Sequence, residues 1–139
     1  MEANDNKRLV QQVYAAMAEG DSAPFVALLA DDVRWIVLGA TAWSGSYAGK
    51  AAVQRELLGP LVARLARPYR ARLRRLVAED DLVVAELEGD NETRTGARYD
   101  NRYCFVLRLA GGQVREVTEY GDTELVRAAL GDRVPLAAR

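Results

Sequence analysis

Apolar residues recur every three or four positions in the first half of the chain and every second position in most of the rest. Between Asp5 and Glu19, Leu9, Val10, Val13 and Met17 form one stripe with the small Ala16, which predicts an amphipathic helix. Gly20 closes it as a C-terminal cap would. Asp21 or Ser22 caps a second, short helix with Pro24 in its first turn and Phe25, Val26, Leu28 and Leu29 on its buried face. A strand follows through Val33, Trp35 and Val37. The stretch from Gly39 to Gly49 is rich in glycine and small polar residues and reads as a loop. It also carries Trp43 and Tyr47, more aromatic surface than a linker needs. Helical spacing returns from Gly49 to about Ala66, kinked or divided at Gly59-Pro60.

After Pro68 the period drops to two. Tyr69, Ala71 and Leu73 alternate with Arg70, Arg72 and Arg74, the pattern of a half-buried strand. Asp80-Asp81 makes a tight turn into a strand over Leu82 to Glu88. A polar turn region, Gly89 to Gly96, precedes a long strand from Ala97 to Leu109. Ala110-Gly111-Gly112 is a hairpin turn, and Gln113 to Tyr120 is the last strand. Thr123 to Leu130 has the spacing of a short terminal helix. Helices set apart from four sequential strands define an α+β fold. Residues 1–131 are expected to form a single domain, with 132–139 a loose tail.

Composition narrows the chemistry mainly by subtraction. The chain of 139 residues has no histidine, which removes serine–histidine and cysteine–histidine catalysis and most zinc sites. Acid–base work near neutral pH then falls to carboxylates, tyrosines or water. A net charge of -1 gives no electrostatic reason to expect nucleic acid or an anionic membrane. The arginines around Arg64 to Arg75 read as the solvated outer face of a strand, paired across the sheet by Glu86 and Glu88. The polar N-terminus, the absence of a long apolar run and a single cysteine point to the cytoplasm. Cys104 reads as a buried small hydrophobe.

Three segments carry a family resemblance. Glu19-Gly20-Asp21, followed by Phe25 to Val33 and Trp35, resembles the start of the SnoaL-like and ketosteroid-isomerase-like superfamily, the nuclear transport factor 2-like fold. Tyr47-Ala48-Gly49-Lys50 is similar to the family's lead into its third helix. Asn101 to Leu109, a glycine turn, then Val114 to Tyr120 and Asp122-Thr123 resemble its end. The resemblance implies a cone-shaped, curved antiparallel sheet wrapped on three helices, a cystatin-like α+β barrel. It also implies a small apolar molecule held in the cone, no cofactor or metal, and a homodimer formed through the outer sheet face.

The family's known chemistries leave few residues to carry over. The steroid isomerases' general base falls on Val37, their oxyanion tyrosine on Val13 beside Tyr14, and their second acid near Arg102 or Tyr103. The limonene epoxide hydrolases' arginine and first aspartate fall on Leu87 and Gly89, leaving only their last carboxylate, at Glu119. Glu119 is therefore the candidate acid or base, for an isomerisation, cyclisation or water addition. Tyr14, Trp35, Val37, Asn101, Tyr103, Phe105 and Val117 are the candidate pocket residues. Ordinary core packing is the competing reading for the aromatic ones, and Trp43 suits either a lid or a dimer contact. Asp122 is as well explained as a helix cap, and Asp100 is expected to face away. A non-catalytic binder of an apolar metabolite, or a dimerisation module, would use the same residues.

Overall fold

A computed structural model of the protein describes residues 2–131; the expected tail, 132–139, lies outside them. The chain opens with helix α1 (Ala3–Ala18), which buries the predicted stripe of Val10, Val13 and Met17 together with Tyr14. Helix α2 (Ala23–Leu28) buries Phe25 and runs directly into strand β1 (Leu29–Val37). The loop expected next contains an unpredicted edge strand, β2 (Gly45–Ala48), which pairs antiparallel with β1 through Tyr47 opposite Trp35. Its glycine and serine content hides it, because only Tyr47 supplies an inward side chain.

Helical structure from Lys50 to Ala63 comes in three parts: α3 (Lys50–Ala52), a π-helical stretch (Val53–Leu58) and α4 (Gly59–Ala63). The predicted disturbance at Gly59-Pro60 takes the form of this wide turn. Pro60 has no N–H to donate, and the N–H of Gly59 reaches five residues back to the carbonyl of Gln54. This segment carries the chain to the far edge of the sheet. There β3 (Ala71–Glu79), β4 (Leu82–Gly89), β5 (Arg102–Ala110) and β6 (Gln113–Gly121) form a meander, and α5 (Thr123–Leu130) follows.

The six strands are ordered β2-β1-β6-β5-β4-β3. The expectation of a wholly antiparallel sheet needs one correction, since β1 and β6 pair in parallel. No hairpin joins these two strands, so turn geometry does not constrain their direction. Register shifts in the β1–β6, β3–β4 and β5–β6 pairings add local bend, and the sheet curves around the helices. The shift in β3 lies between Leu73 and Arg75, placing Arg74 and Arg75 both outward. The arginines there pair with carboxylates across the sheet: Arg72 and Arg74 with Glu88 at 3.2 and 2.7 Å, and Arg75 with Glu86.

The expected strand from Ala97 begins only at Arg102. Before it the chain runs irregularly beside buried Asn91, whose carbonyl accepts from the Tyr99 N–H at 2.9 Å. The Asn91 side chain exchanges two hydrogen bonds with the backbone of Arg70, both at 3.0 Å. The turn between β5 and β6 is the two-residue Gly111-Gly112, with φ of 60° and 75°, the left-handed pair a tight hairpin requires. Cys104 is half-buried on the outer face, not in the core as expected, because its parity sets it opposite Glu86 and Tyr120.

A Cβ added at Gly59 would lie 2.8 Å from the carbonyl oxygen of Gln54. Replacing a helical glycine by alanine ordinarily stabilises by about 0.5–1 kcal/mol. Gly59→Ala should do the reverse and lower the urea unfolding free energy by about 1–2 kcal/mol, because the obstacle is backbone.

Candidate functional site

The inner face of the curved sheet is covered by helices but not filled by them. A cavity of about 380 Å³ remains, a volume within the range of small-molecule sites. Trp35 and Val37 of β1, Tyr103 and Phe105 of β5, and Glu119 of β6 form its floor. Phe25 of α2, Leu57 and Leu58 of the π-helical stretch, and Val126 and Leu130 of α5 close it from above. Trp35 meets Phe25 and Phe105 edge-on, with ring centroids 5.9 Å apart in both pairs. These contacts fix the wall without plugging the space.

One carboxyl group enters this apolar enclosure. Strand pairing sets Glu119 between Val37 and Phe105, and its side chain turns inward with theirs. Burial pushes its pKa up from 4.5 to about 7, with the hydrogen bond from Trp35 opposing the shift. In that bond the Trp35 indole Nε1 donates to Oε1 at 3.0 Å. The carboxyl is thus held by one oxygen and poised to gain or lose a proton near neutrality.

Beside it runs a polar row that joins three tyrosines. Tyr103 Oη lies 3.1 Å from Tyr99 Oη, to which Asn101 Nδ2 also donates at 3.3 Å. Tyr69 is hydrogen-bonded to Tyr103 on the other side. Burial raises the pKa of all three phenols, so each stays protonated and can donate a hydrogen bond. Asn101 is fully buried and clamps the start of α5. Its Oδ1 accepts from Asp122 N at 3.1 Å, and its Nδ2 reaches Asp122 O at 3.4 Å. Asp122 in turn caps α5 by accepting from the N–H groups of Glu124 and Leu125.

Six of the candidates, Glu119, Trp35, Val37, Asn101, Tyr103 and Phe105, therefore meet at one cavity. Tyr14 and Val117 do not line it. Val117 points the same way as Glu119 but lies two residues deeper, fully buried between Trp35 and Leu107. Tyr14 stands behind Phe25, ring centroids 5.4 Å apart, and its buried hydroxyl has no partner among the described residues. Asp100 turns outward to Arg98. Tyr69 and Tyr99 join the site beyond the residues expected from the sequence. Both share the inward parity of the strands that follow them, Tyr69 with Ala71 and Tyr99 with Asn101 and Tyr103, and that parity is the signal that finds them.

Trp43 proves to be part of the cavity wall. It is anchored by its indole N–H to the Gly131 carbonyl at 3.0 Å and stacked under the Arg64 guanidinium 4.8 Å away. Among the described residues, no group of three or more histidine, cysteine or acidic side chains is placed to hold a metal. No described helix is long and apolar enough to cross a membrane.

The family model described as the SnoaL-like domain matches residues 10–117. No curated protein matches the chain. Among solved structures, a nuclear transport factor 2-like protein from Burkholderia thailandensis is 24% identical, with a TM-score of 0.77 over 94% of this chain and 98% of that one. A putative isomerase from Bacillus subtilis is 18% identical, also with a TM-score of 0.77, over 96% and 98%. TerC, co-crystallized with polyporic acid, is 18% identical with a TM-score of 0.75 over 90% and 97%. At these identities the likeness establishes the fold.

Because the folded protein binds the Glu119 proton more tightly than the unfolded chain does, this group makes stability fall as pH rises from about 4.5 to about 7. Above that the contribution is flat, after a loss of up to about 3 kcal/mol. Burial shifts the tyrosines far above the window, and arginine pairing moves Glu88 and Asp100 below it. Urea unfolding from pH 5 to 8 should therefore show this slope in the wild type and its disappearance in Glu119→Gln.

Proposed function

The chain belongs to the SnoaL-like domain family, and we propose that its cone binds a small, largely apolar molecule on which Glu119 acts as a general acid or base. The single observation that carries this reading is a carboxyl, desolvated to near-neutral pKa, facing a largely apolar hollow between sheet and helices. Such a group at pH 7 is divided between its acid and base forms, the condition for efficient proton transfer. With Oε1 tied to Trp35, the other oxygen is free to reach a substrate proton. The tyrosine row supplies neutral donors for a substrate oxygen on which negative charge develops. Removing a proton beside a carbonyl and returning it elsewhere on the same molecule would make the reaction a cofactor-free isomerisation. Protonation followed by ring closure or water addition would make it a cyclisation or hydration. The putative isomerase and the polyporic acid complex among the structural neighbours are compatible with either, by fold analogy alone.

A second reading, binding without turnover, is favoured by one observation: among the described residues, Glu119 is the only acidic side chain lining the cavity. One experiment separates the two. A panel of polycyclic phenols, ketones and amines is screened by thermal shift, and each stabilising compound is then incubated with protein and its products are analysed by mass spectrometry. Turnover that vanishes in Glu119→Gln while the thermal shift persists supports catalysis. Stabilisation without product supports the container, and no stabilisation by any compound removes both.

We further propose a second copy of the chain on the outer sheet face. A cross-strand row runs there through Val77, Val84, Val106, Thr118 and Ile36, apolar but for the threonine, with Val77 53% exposed and Tyr120, nearby on β6, 46% exposed. Light scattering should give twice the monomer mass for the wild type and the monomer mass for Val106→Lys. A wild-type monomer at micromolar concentration contradicts the pairing.

A further inference from the structure

We propose that the ligand is a hydrophobic organic cation, a ring system carrying one protonated or quaternary amine. This rests on the cavity-binding reading above and adds the ligand's charge to it. Among the described residues the lining contains no lysine or arginine, and its one carboxyl is Glu119. Trp35 and Phe105 adjoin that carboxyl, and Trp43, Phe25 and the three tyrosines of the polar row line the same cavity. Arg64, which stacks on the Trp43 ring of this wall, is committed to that ring and to the carbonyls of Pro60 and Leu130.

Charge accounting inside the cavity separates the ligand classes. An anionic ligand would meet no counter-charge and would be repelled by Glu119, at a large desolvation penalty. A neutral ligand leaves the carboxyl unpaired, so it must stay protonated or pay for burial as an ion. A cation supplies the missing partner and lets Glu119 ionise. Its charge also lies among aromatic faces, which attract ammonium groups through the ring quadrupole. The remaining titratable groups near the carboxyl are Tyr14, Tyr69, Tyr99 and Tyr103, all held neutral by burial, so none of them competes with the cation for Glu119.

Three probes of similar shape test this by calorimetry at pH 7.5: (naphthylmethyl)trimethylammonium, its uncharged carbon isostere neopentylnaphthalene, and the anion naphthylacetate. The cation should bind at least about tenfold more tightly than the isostere, and the anion more weakly than both. Glu119→Gln keeps the shape of the side chain and should bring cation and isostere to within about threefold of each other. If the isostere or the anion binds as tightly as the cation, the charge assignment is overturned while the cavity reading stands. If none of the three binds, both are overturned. A cation preference that survives Glu119→Gln undiminished also overturns the proposal, because it would then arise away from the carboxyl.

Discussion

A strongly bent sheet cannot be filled by its own side chains, and the helices laid across it touch only its rim and part of its floor. In this protein that geometric mismatch leaves a hollow, and β6 projects a glutamate into it. The energetic consequences all stem from that placement. The carboxyl loses hydration, keeps a single strong hydrogen bond from Trp35, and settles at a pKa where both protonation states are populated. Apolar packing around it supplies the stability that tolerates so unfavourable a group.

The surrounding polar atoms divide into those used by the fold and those left for a ligand. Asn101 spends its amide on Tyr99 and on the backbone at the start of α5, so it positions the cavity roof. Asp122 spends its carboxylate on capping the same helix. The tyrosine hydroxyls are bonded mainly to one another, an arrangement that holds their rings in place and keeps donors at the cavity surface. This division is why the acidic group on β6 stands out among several polar candidates.

Much of this was legible from periodicity alone. The switch from helical to alternating spacing at Pro68 placed the meander, and alternation on the last strands put Asn101, Tyr103, Phe105 and Glu119 on one face. The double arginine at Arg74-Arg75 interrupts that alternation where β3 is bulged. What escaped was whatever depends on long-range partners. Strand β2 is specified by β1 rather than by its own glycine-rich sequence, and the parallel pairing of β1 with β6 has no local signal. Tyr69 and Tyr99 have the parity of the strands they precede but sit in irregular backbone beside Asn91, whose side chain bonds to the Arg70 backbone, a contact that no pattern announces. Tyr14 has helical spacing suited either to core or to pocket, and depth alone decides against the pocket.

The most direct measurement is the ionisation of Glu119 itself, followed by carbon-13 NMR of the labelled side-chain carboxyl, with Glu119→Gln used for assignment. A carboxyl buried in the cone should show a midpoint near 7 that moves when an apolar compound enters. A midpoint near 4.5, insensitive to every added compound, would mean that this carboxyl is hydrated like any surface glutamate, and the site described here would not exist.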